Sequence, residues 1–542
     1  MNFIEISRTL GRYFYYLSAI LLIPLLFAVV DEFFIEKTTH FSATVAFLET
    51  IAVALACGLF FAWKGKKAKR TLYRKESILI VVLIWFLTAA VGACPFLFTG
   101  TLKNPIDAYF ESMSGFTTTG VTILYPKQYD VTGAEIPALV RHPLDPSMVY
   151  TFYGTIAPLK DPVTGEIVKT GVEALGKPLL FWRTFMEWLG GMGIVVLFIA
   201  VLPALAMGGK FLYENEVQGL SKEGMTPRIK ETASMLWKIY LGLTLLQTTL
   251  LMLTNDSISF FDAITLAFST ISTGGFTVSN HGLETFPNSI TYWIISIFMI
   301  LGSFNFTLYF HCLKGKLYRL FEPEFYLYLL MLIGGSLLMT LNLYRTPHFG
   351  TAKLFTFGEA IQHGSFMAIS AQTSTGFSLT TYDMWPFACQ ILMVLLMFIG
   401  GMSGSTTGGI KVIRYTIILK ALKNKIETLF KPEIVRTIKI GEREITPKTT
   451  LTVLTFFSIV ILFFALGTYL LILDHQDPLT SIGIISCMIN NTGLNLGGLG
   501  ITGSYAFLPL FSKIICIFWM ILGRLEYFSL LVILAPSFWR RQ

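Results

Sequence analysis

The pattern of hydrophobic positions along this chain is dominated by long apolar runs that are separated by short polar loops. Ten runs are long enough to cross a bilayer as helices, which takes about 20 residues each. They lie at 13–33, 43–63, 77–99, 181–206, 233–254, 289–312, 324–344, 386–420, 450–473 and 510–536. The pattern therefore predicts an all-α polytopic membrane protein.

After the first two runs, four shorter apolar segments occur, each between two long runs and each too brief to cross a bilayer. They end in similar motifs, Thr118-Thr119-Gly120-Val121, Thr273-Gly274-Gly275-Phe276, Ser374-Thr375-Gly376-Phe377 and Asn491-Thr492-Gly493-Leu494. We interpret the pattern as four units, each made of a span, a short re-entrant helix, a glycine motif and a second span.

The short segments also agree with one another position by position. Thirteen residues before the motif glycine stand Asp107, Asp262, His363 and Thr480. Six residues before it stand the small residues Ser114, Ser269, Ser370 and Cys487. This spacing predicts a short helix with a polar start and small packing residues in every unit.

The four glycine motifs carry the chemistry of the chain. Irregular backbone at membrane depth is tolerated only where protein encloses it or where it lines a watery path. Glycine permits backbone conformations that point carbonyl groups inward, and backbone carbonyls can replace the hydration shell of potassium. A single Thr-Gly pair would indicate an ordinary turn, but four in the same context predict an ion-selective filter around one axis.

Composition and charge narrow the class further. Of the 542 residues, 14% are charged, well below the roughly 25% of soluble domains. The net charge of +8 comes from basic residues in every second loop, which predicts cytoplasmic loops and termini and no nucleic-acid partner. The motifs then enter from the outer side. The six cysteines form no CxxC pair, which argues against a metal cluster or a disulfide framework.

A second glycine-rich stretch interrupts the run 386–420. It contains Gly400, Gly401, Gly404, Ser405, Gly408 and Gly409. Each glycine costs a helix about 1 kcal/mol relative to alanine, so this density predicts a break. The stretch could form a flexible loop across the pore beneath the filter, or a small-residue packing interface between helices.

Arg524 lies inside the last apolar run, where an ionisable residue is a functional hypothesis by default. It could face the cavity under the filter and hold the glycine-rich stretch, or form a structural bridge to an acid such as Glu187. The polar, proline-containing segment 126–178 is predicted to be an extracellular insertion. It could form a lid or vestibule wall, or an ordinary surface loop.

These residues resemble the Trk/Ktr/HKT potassium-transporter superfamily, and within it the TrkH-type membrane subunits. The resemblance covers almost the whole chain except 126–178. Its supporting stretches are 181–194, 220–233, 404–414, 521–526 and 536–540.

The resemblance implies two N-terminal transmembrane helices and four M1–P–M2 repeats around a pseudo-fourfold pore. It makes the four glycine motifs a potassium filter, with potassium as the transported ion and no organic cofactor. The gate then comprises the glycine-rich stretch, the neighbouring Lys411 and the pore-facing Arg524. The implied partners are a second copy of the chain, the lipid bilayer and a cytosolic nucleotide-binding regulatory subunit of the TrkA type. The implied location is the bacterial cytoplasmic (inner) membrane, with both termini cytoplasmic.

The domain boundaries follow from the units. They are 1–75 for the N-terminal pair, 76–208 for repeat 1 with its insertion, 209–322 for repeat 2, 323–425 for repeat 3 with gating loop 400–410, and 426–542 for repeat 4. One departure from the family stands in repeat 4, where Gly493-Leu494-Asn495-Leu496-Gly497 replaces the usual Gly-Pro-Gly-Leu-Gly.

The leading functional hypothesis is potassium uptake through a gated, channel-like pore. The alternative is a sodium-conducting or a sodium- or proton-coupled potassium transporter; sodium-selective plant relatives carry serine at the position of Gly120. A membrane-embedded enzyme would need convergent acids, histidines or metal ligands, and His311, His363 and His475 are scattered. A receptor or scaffold that does not conduct would leave the four motifs without a purpose.

Overall fold

We describe the protein from a computed structural model. The described residues are 1–35, 42–68, 74–130, 132–141, 149–160, 166–193, 229–316, 318, 320, 322–348, 353–380, 382–431, 438–441, 443–499 and 503–540. The predicted boundary at 208–209, the basic loop around it and the end of the predicted span 181–206 lie outside these ranges.

Helices make up most of the described chain. In the first part they are α1 (Phe3–Ile20), α2 (Leu22–Val30), α3 (Ser42–Lys64), α4 (Arg74–Phe98), α5 (Pro105–Phe116) and α6 (Lys177–Trp188). Then come α7 (Ile229–Thr254), α8 (Phe260–Ile271), α9 (Ser289–Gly302), α10 (Phe306–Leu313), α11 (Pro323–Leu343), α12 (Phe357–Gln372) and α13 (Phe387–Phe398). The last are α14 (Val412–Phe430), α15 (Pro447–Leu473), α16 (Pro478–Asn490), α17 (Leu510–Arg524), α18 (Phe528–Leu534) and α19 (Pro536–Trp539).

Among the described residues, six helical stretches are long and apolar enough to cross a membrane, and the number is eight if two bent helix pairs count as spans. The first stretch runs from Phe3 to Ile35, so it begins ten residues before the predicted start. The predicted span 386–420 is interrupted between α13 and α14. The fold is that of a polytopic membrane protein, as the apolar pattern predicts.

The predicted span 289–312 is not one straight helix, because α9 and α10 meet at 93°. Asn305 caps α10 by accepting a hydrogen bond from the Thr307 N–H at 2.9 Å. The carbonyl groups freed at the end of α9 are not left unpaired: those of Gly302 and Ser303 accept hydrogen bonds from Thr406 and Met402. The bend therefore supplies acceptors to the glycine-rich stretch.

The predicted span 510–536 is bent more sharply, with 117° between α17 and α18. Glu526 and Tyr527 take left-handed backbone conformations, with φ of 50° and 63°. Glu526 forms an ion pair with Arg414 on α14. Arg524 thus stands at the last position of a helix and not in the middle of one.

The helices pack as a closed ring of four units. Within each unit a long helix packs against the short helix that follows it, and the short helix packs against the next helix: α4–α5–α6, α7–α8–α9, α11–α12–α13 and α15–α16–α17. Between units, the last helix of each packs on the short helix of the next, in the pairs α6–α8, α9–α12, α13–α16 and α17–α5. The fourth contact returns to the first unit, which closes the ring.

The described strands form small antiparallel hairpins. In the segment 126–178 they are β1 (Gln128–Tyr129) with β2 (Glu135–Ile136), β3 (Ala138–Arg141) with β4 (Val149–Phe152), and β5 (Leu159–Lys160) with β6 (Ile167–Lys169). A fourth hairpin, β7 (Ile438–Ile440) with β8 (Arg443–Ile445), follows α14.

Candidate ion pathway

The four short helices begin with capping residues that satisfy their first free N–H groups. The caps are Asn104, Ser259, Thr356 and Asp477. Three stand sixteen residues before the motif glycine, but Thr356 stands twenty before it, because α12 is one turn longer. His363, predicted at a helix start, therefore lies inside α12, and that prediction was wrong.

The backbone of the four motifs follows one repeated pattern. The residue two positions before the glycine is left-handed although it carries a side chain, with φ between 49° and 55°: Thr118, Thr273, Ser374 and Asn491. The glycine itself is left-handed, with φ between 73° and 89°: Gly120, Gly275, Gly376 and Gly493. Such conformations are uncommon outside glycine, so their fourfold recurrence indicates four copies of one local structure.

The four motif glycines approach one another around a ring. A Cβ atom added at Gly120 would collide with the carbonyl oxygen of Gly274, one at Gly275 with that of Thr375, and one at Gly376 with that of Thr492. A Cβ at Gly493 would lie 3.0 Å from the carbonyl oxygen of Thr119. Each contact involves the residue before the next glycine, so the ring of backbone contacts closes on itself.

Exposure within the motifs is confined to the glycines. Gly120, Gly275, Gly376 and Gly493 are half-buried, whereas the three other residues of each motif are buried. The buried ones are Thr118, Thr119, Val121, Thr273, Gly274, Phe276, Ser374, Thr375, Phe377, Asn491, Thr492 and Leu494. The pattern favours a narrow accessible passage that is bounded by backbone and held from behind by packed side chains.

The direction of the short helices adds an electrostatic contribution. Each ends directly before its motif, at Phe116, Ile271, Gln372 and Asn490. A helix carries about half a negative elementary charge at its C-terminal end. Four such ends converge on the ring, so the arrangement favours a cation there.

The glycine-rich stretch forms a folded loop between α13 and α14, which we call the glycine loop (residues 399–411). Its two ends are joined, since the N–H of Gly400 donates to the Ile410 carbonyl at 3.0 Å. Gly404 and Gly409 have φ of 77° and 67°, and the Ser405 hydroxyl donates to the Met402 carbonyl at 2.6 Å. The loop is thus a defined structure rather than a continuous helix.

Charged side chains hold the glycine loop from two sides. Lys411 donates to the Thr407 side chain at 3.0 Å and to the Thr407 carbonyl at 2.5 Å. Gly401 donates to the same Thr407 hydroxyl at 3.1 Å. The buried carboxylate of Glu324, on α11, accepts the N–H of Ser403 at 2.7 Å. Sequence reasoning missed Glu324, although an acid in the first turn of an apolar helix is a signal.

The glycine loop lies against the end of the ring at which the short helices finish. The Gly408 N–H donates to the Ser374 hydroxyl at 2.7 Å, and the Thr406 hydroxyl lies 3.4 Å from that of Thr273. A Cβ at Gly408 would meet the Asn490 carbonyl and, at 3.1 Å, the Asn491 side chain. The loop therefore reaches motifs two, three and four.

Arg524 completes the contacts at that end of the ring. Its guanidinium donates to the Thr118 hydroxyl at 3.0 Å and to the Thr406 carbonyl of the glycine loop at 2.9 Å. It also donates to the carbonyls of Gly190 and Gly191 at 2.6 and 2.9 Å. The left-handed residues of all four motifs are thus in contact with either the loop or Arg524.

Behind the ring lies a buried charged cluster that sequence reasoning missed as a unit. Arg183 pairs with Glu111 at 2.7 Å, and both side chains are almost fully buried. Glu111 also accepts the Ile123 N–H at 2.9 Å, and Arg183 donates to the Thr277 carbonyl at 3.0 Å. The pair joins the chain after motif one to the chain after motif two. An acid within a short apolar segment was the available signal.

Two further acids make contacts that join elements around the ring. Glu187, weighed from sequence as a partner of Arg524, accepts the N–H of Phe276 in motif two at 3.0 Å. Asp107, in the first turn of α5, pairs with Lys513 of α17 at 2.8 Å. The second pair joins the first unit to the fourth.

The segment 126–178 packs on two other units. The Tyr150 hydroxyl lies 3.5 Å from the Asp477 carboxylate at the start of α16. On the other side, the Asn280 side chain accepts the Val172 N–H at 2.8 Å, and Glu173 accepts the Ser279 hydroxyl at 3.0 Å. The segment therefore joins the loop that follows motif two to the start of α16, the short helix that precedes motif four.

Comparison with known proteins identifies the family. The TrkH family model, described as a cation transport protein, matches residues 159–541. The Trk system potassium uptake protein TrkH of Escherichia coli K12 is 32% identical over 544 residues, covering 100% of both chains. TrkG of the same organism is 28% identical over 520 residues, covering 94% of each.

The fold agrees with this assignment. The crystal structure of the potassium transporter TrkH from Vibrio parahaemolyticus superposes with a TM-score of 0.79 at 30% identity, covering 100% of each chain. The chain belongs to the TrkH family of cation transport proteins, within the Trk/Ktr/HKT superfamily. It is a transport protein of the membrane and not an enzyme.

Proposed function

We propose that this protein takes up potassium through a pore whose selectivity filter is the ring of four glycine motifs. The closed ring of glycine–carbonyl contacts is the observation that carries the proposal. Relatives that match over their whole length are named potassium uptake proteins, which supports the choice of ion. Entry of one charge is driven by the membrane potential with about 2.3 kcal/mol per 100 mV.

The ion ligands in this proposal are backbone carbonyls. Those of Thr119, Gly274, Thr375 and Thr492 each lie at a neighbouring glycine of the ring, so they stand at equivalent positions. Neutral carbonyls bind a dehydrated potassium ion without holding it too tightly to leave. The four left-handed residues before them shape the turn that presents these carbonyls.

The wild-type protein provides the test of transport. Purified protein in liposomes should accumulate a potassium isotope when the interior is made negative, without any sodium or proton gradient. Uptake that needs one of those gradients would favour the coupled transporter, and a sealed membrane without uptake would favour a non-conducting receptor or scaffold.

The gate in this proposal consists of the glycine loop and Arg524. Gly400, Gly401, Gly404, Ser405, Gly408, Gly409 and Lys411 form or fasten the loop. Arginine stays charged under nearly all conditions, so Arg524 raises the barrier to a cation leaving the ring. The contacts of both with the four motifs support a closed resting state.

Arg524→Ala should increase potassium flux without changing the order of ion preference. The substitution removes a positive charge beside the proposed path. It also removes the hydrogen bond from Arg524 to the Thr406 carbonyl of the glycine loop. Flux in liposomes and thermal unfolding of the same variant provide the measurement. Unchanged flux together with a large loss of stability would contradict the gating role.

Regulation is proposed to come from outside this chain. We infer that the protein works as a homodimer in the bacterial cytoplasmic membrane, with both termini in the cytoplasm. The basic segment Lys420–Lys448 would face a cytosolic nucleotide-binding subunit of the TrkA type. Lys423 supports this proposal, since its side chain is 73% exposed on α14.

Charge reversal tests the docking surface. Lys423→Glu with Lys425→Glu should reduce co-purification of the regulatory subunit at least several-fold, because two attractive charges become repulsive. Lys64→Glu, at the last position of α3 in the N-terminal pair, is the control and should leave co-purification unchanged. Binding that is insensitive to both reversals would count against docking on this segment.

A further inference from the structure

Asn495 stands two residues after Gly493, at one of the two positions where repeat 4 departs from the family pattern. Its side-chain nitrogen Nδ2 lies 3.4 Å from the Gly493 carbonyl oxygen and donates to it. Its side-chain oxygen Oδ1 accepts a hydrogen bond from the Tyr505 hydroxyl. One amide group thus joins a motif carbonyl to a tyrosine.

Only one orientation of this amide satisfies both partners. A backbone carbonyl can accept but not donate, whereas a tyrosine hydroxyl can do either. If the amide were turned over, its oxygen would face the oxygen of Gly493 and both would lack a donor. The side-chain N–H of Asn495 must therefore point at the Gly493 carbonyl.

Two tyrosines hold Asn495 in place. The Tyr382 hydroxyl, from the third unit, accepts the backbone N–H of Asn495 at 2.9 Å. Tyr505 is buried, and its backbone N–H donates to the Thr122 carbonyl of the first unit at 2.8 Å. Because both neighbouring units fix it, the amide cannot turn away freely.

The equivalent residues in the first two motifs behave differently. The hydroxyl of Thr122 donates to Glu111 at 3.1 Å, and that of Thr277 donates to the Ser279 carbonyl at 3.1 Å. Both hydroxyls therefore donate to partners other than their own motif glycine. An added Cβ at Gly493 would also lie 3.0 Å from its nearest neighbour, farther than at the other three motif glycines. The fourth motif therefore differs from the first two, because the side chain two residues after its glycine donates to the carbonyl of that glycine.

We propose that Asn495 is a specificity-determining positioning residue that acts through the Gly493 carbonyl, an inference that rests on the proposed filter. The amide hydrogen carries a partial positive charge and faces the carbonyl of Gly493, the residue after the proposed ligand Thr492. Gly493 is half-buried beside the accessible passage, and we take its carbonyl as a further ion ligand of motif four. Carbonyl field strength is one determinant of the choice between potassium and sodium. A weaker field favours the larger ion, because the smaller ion loses more hydration energy on entry.

Removing the amide should strengthen the negative field of the Gly493 carbonyl at the passage. Asn495→Leu keeps a similar size without a donor, so half-saturating potassium and the potassium-to-sodium permeability ratio should both fall. The expected change is about two- to tenfold, the range of one net hydrogen bond. Asn495→Asp should shift both in the same direction and further, because it adds a negative charge. Tyr505→Phe, which frees the amide, should give an intermediate shift.

The measurement is the reversal potential with potassium on one side and sodium on the other, using the full-length protein in liposomes or planar bilayers. Thr277→Val is the matched control: it removes the side-chain donor at the equivalent position of motif two, which bonds to the Ser279 carbonyl, so the ratio should stay unchanged. A merely structural role predicts lower stability or flux at a wild-type ratio in all Asn495 variants, and that result would overturn the inference. Gly120→Ser in the same series separates the proposed filter from the role of Asn495. If Gly120→Ser alters the permeability ratio and the Asn495 variants do not, the filter stands and only the role of Asn495 is overturned.

Discussion

Replacing Gly120 with serine is expected to remove most of the discrimination between potassium and sodium while the protein remains folded. The added Cβ would collide with the Gly274 carbonyl, which is one of the four proposed ligands. Gly120 is also left-handed, with φ of 73°, a conformation that costs serine about 1 kcal/mol or more. The ring must therefore open at this point, and a displaced carbonyl no longer matches a dehydrated potassium ion.

A matched control separates crowding from backbone strain. Gly133 has φ of 81° but nothing lies within 4 Å of an added Cβ, so Gly133→Ser carries the strain without the collision. Its reversal potential under mixed potassium and sodium should equal that of the wild type. Gly493→Ser should fall between the two, because its Cβ has more room. Unchanged selectivity in Gly120→Ser would remove Gly120 from the filter.

Replacing Arg183 with methionine is expected to give the largest loss of stability. Removing one partner of a buried ion pair costs about 3–5 kcal/mol, because it leaves the other charge uncompensated. Glu111 keeps its bonds to Thr122 and Ile123, so the lower end of that range applies. Potassium selectivity should weaken as well, since the pair connects the chain segments that follow motifs one and two.

Thermal unfolding of the purified protein measures this effect. The double variant Arg183→Met with Glu111→Gln should be more stable than Arg183→Met alone, because no buried charge is left unpaired. Lys353→Met breaks an exposed pair with Glu359, in which Lys353 is 66% exposed, and should have little effect. Equal stability of the wild type and Arg183→Met would contradict the bracing role of the pair.

The sequence predicts the parts of this fold that repeat. Four glycine motifs after short apolar segments were enough to predict a short helix before each motif, and five glycines between Gly400 and Gly409 were enough to predict the break in the eighth run. Both inferences depend on local chemistry, namely the length of an apolar run and the conformational preference of glycine. The hydrogen bond from Arg524 to the Thr406 carbonyl also agrees with the hypothesis that Arg524 holds the glycine-rich stretch.

The features that sequence reasoning missed depend on contacts between distant residues. Glu111 and Arg183 stand 72 positions apart, and nothing in either local sequence names the other. The bends after Gly302 and Arg524 lie in mostly apolar runs long enough to be read as single spans. The carbonyl groups freed at the first bend are satisfied by the glycine loop, which belongs to another unit. His363 was misplaced because a fixed count from the glycine cannot detect one extra helical turn.

The account's central claim is that the four motifs bind a dehydrated potassium ion on a common axis. Crystals of the protein grown in rubidium, which resembles potassium and scatters anomalously, test this claim most directly. We expect anomalous density inside the ring, in contact with the carbonyl oxygens of Thr119, Gly274, Thr375 and Thr492. Well-ordered motifs without density in the ring, or density only outside it, would contradict the claim.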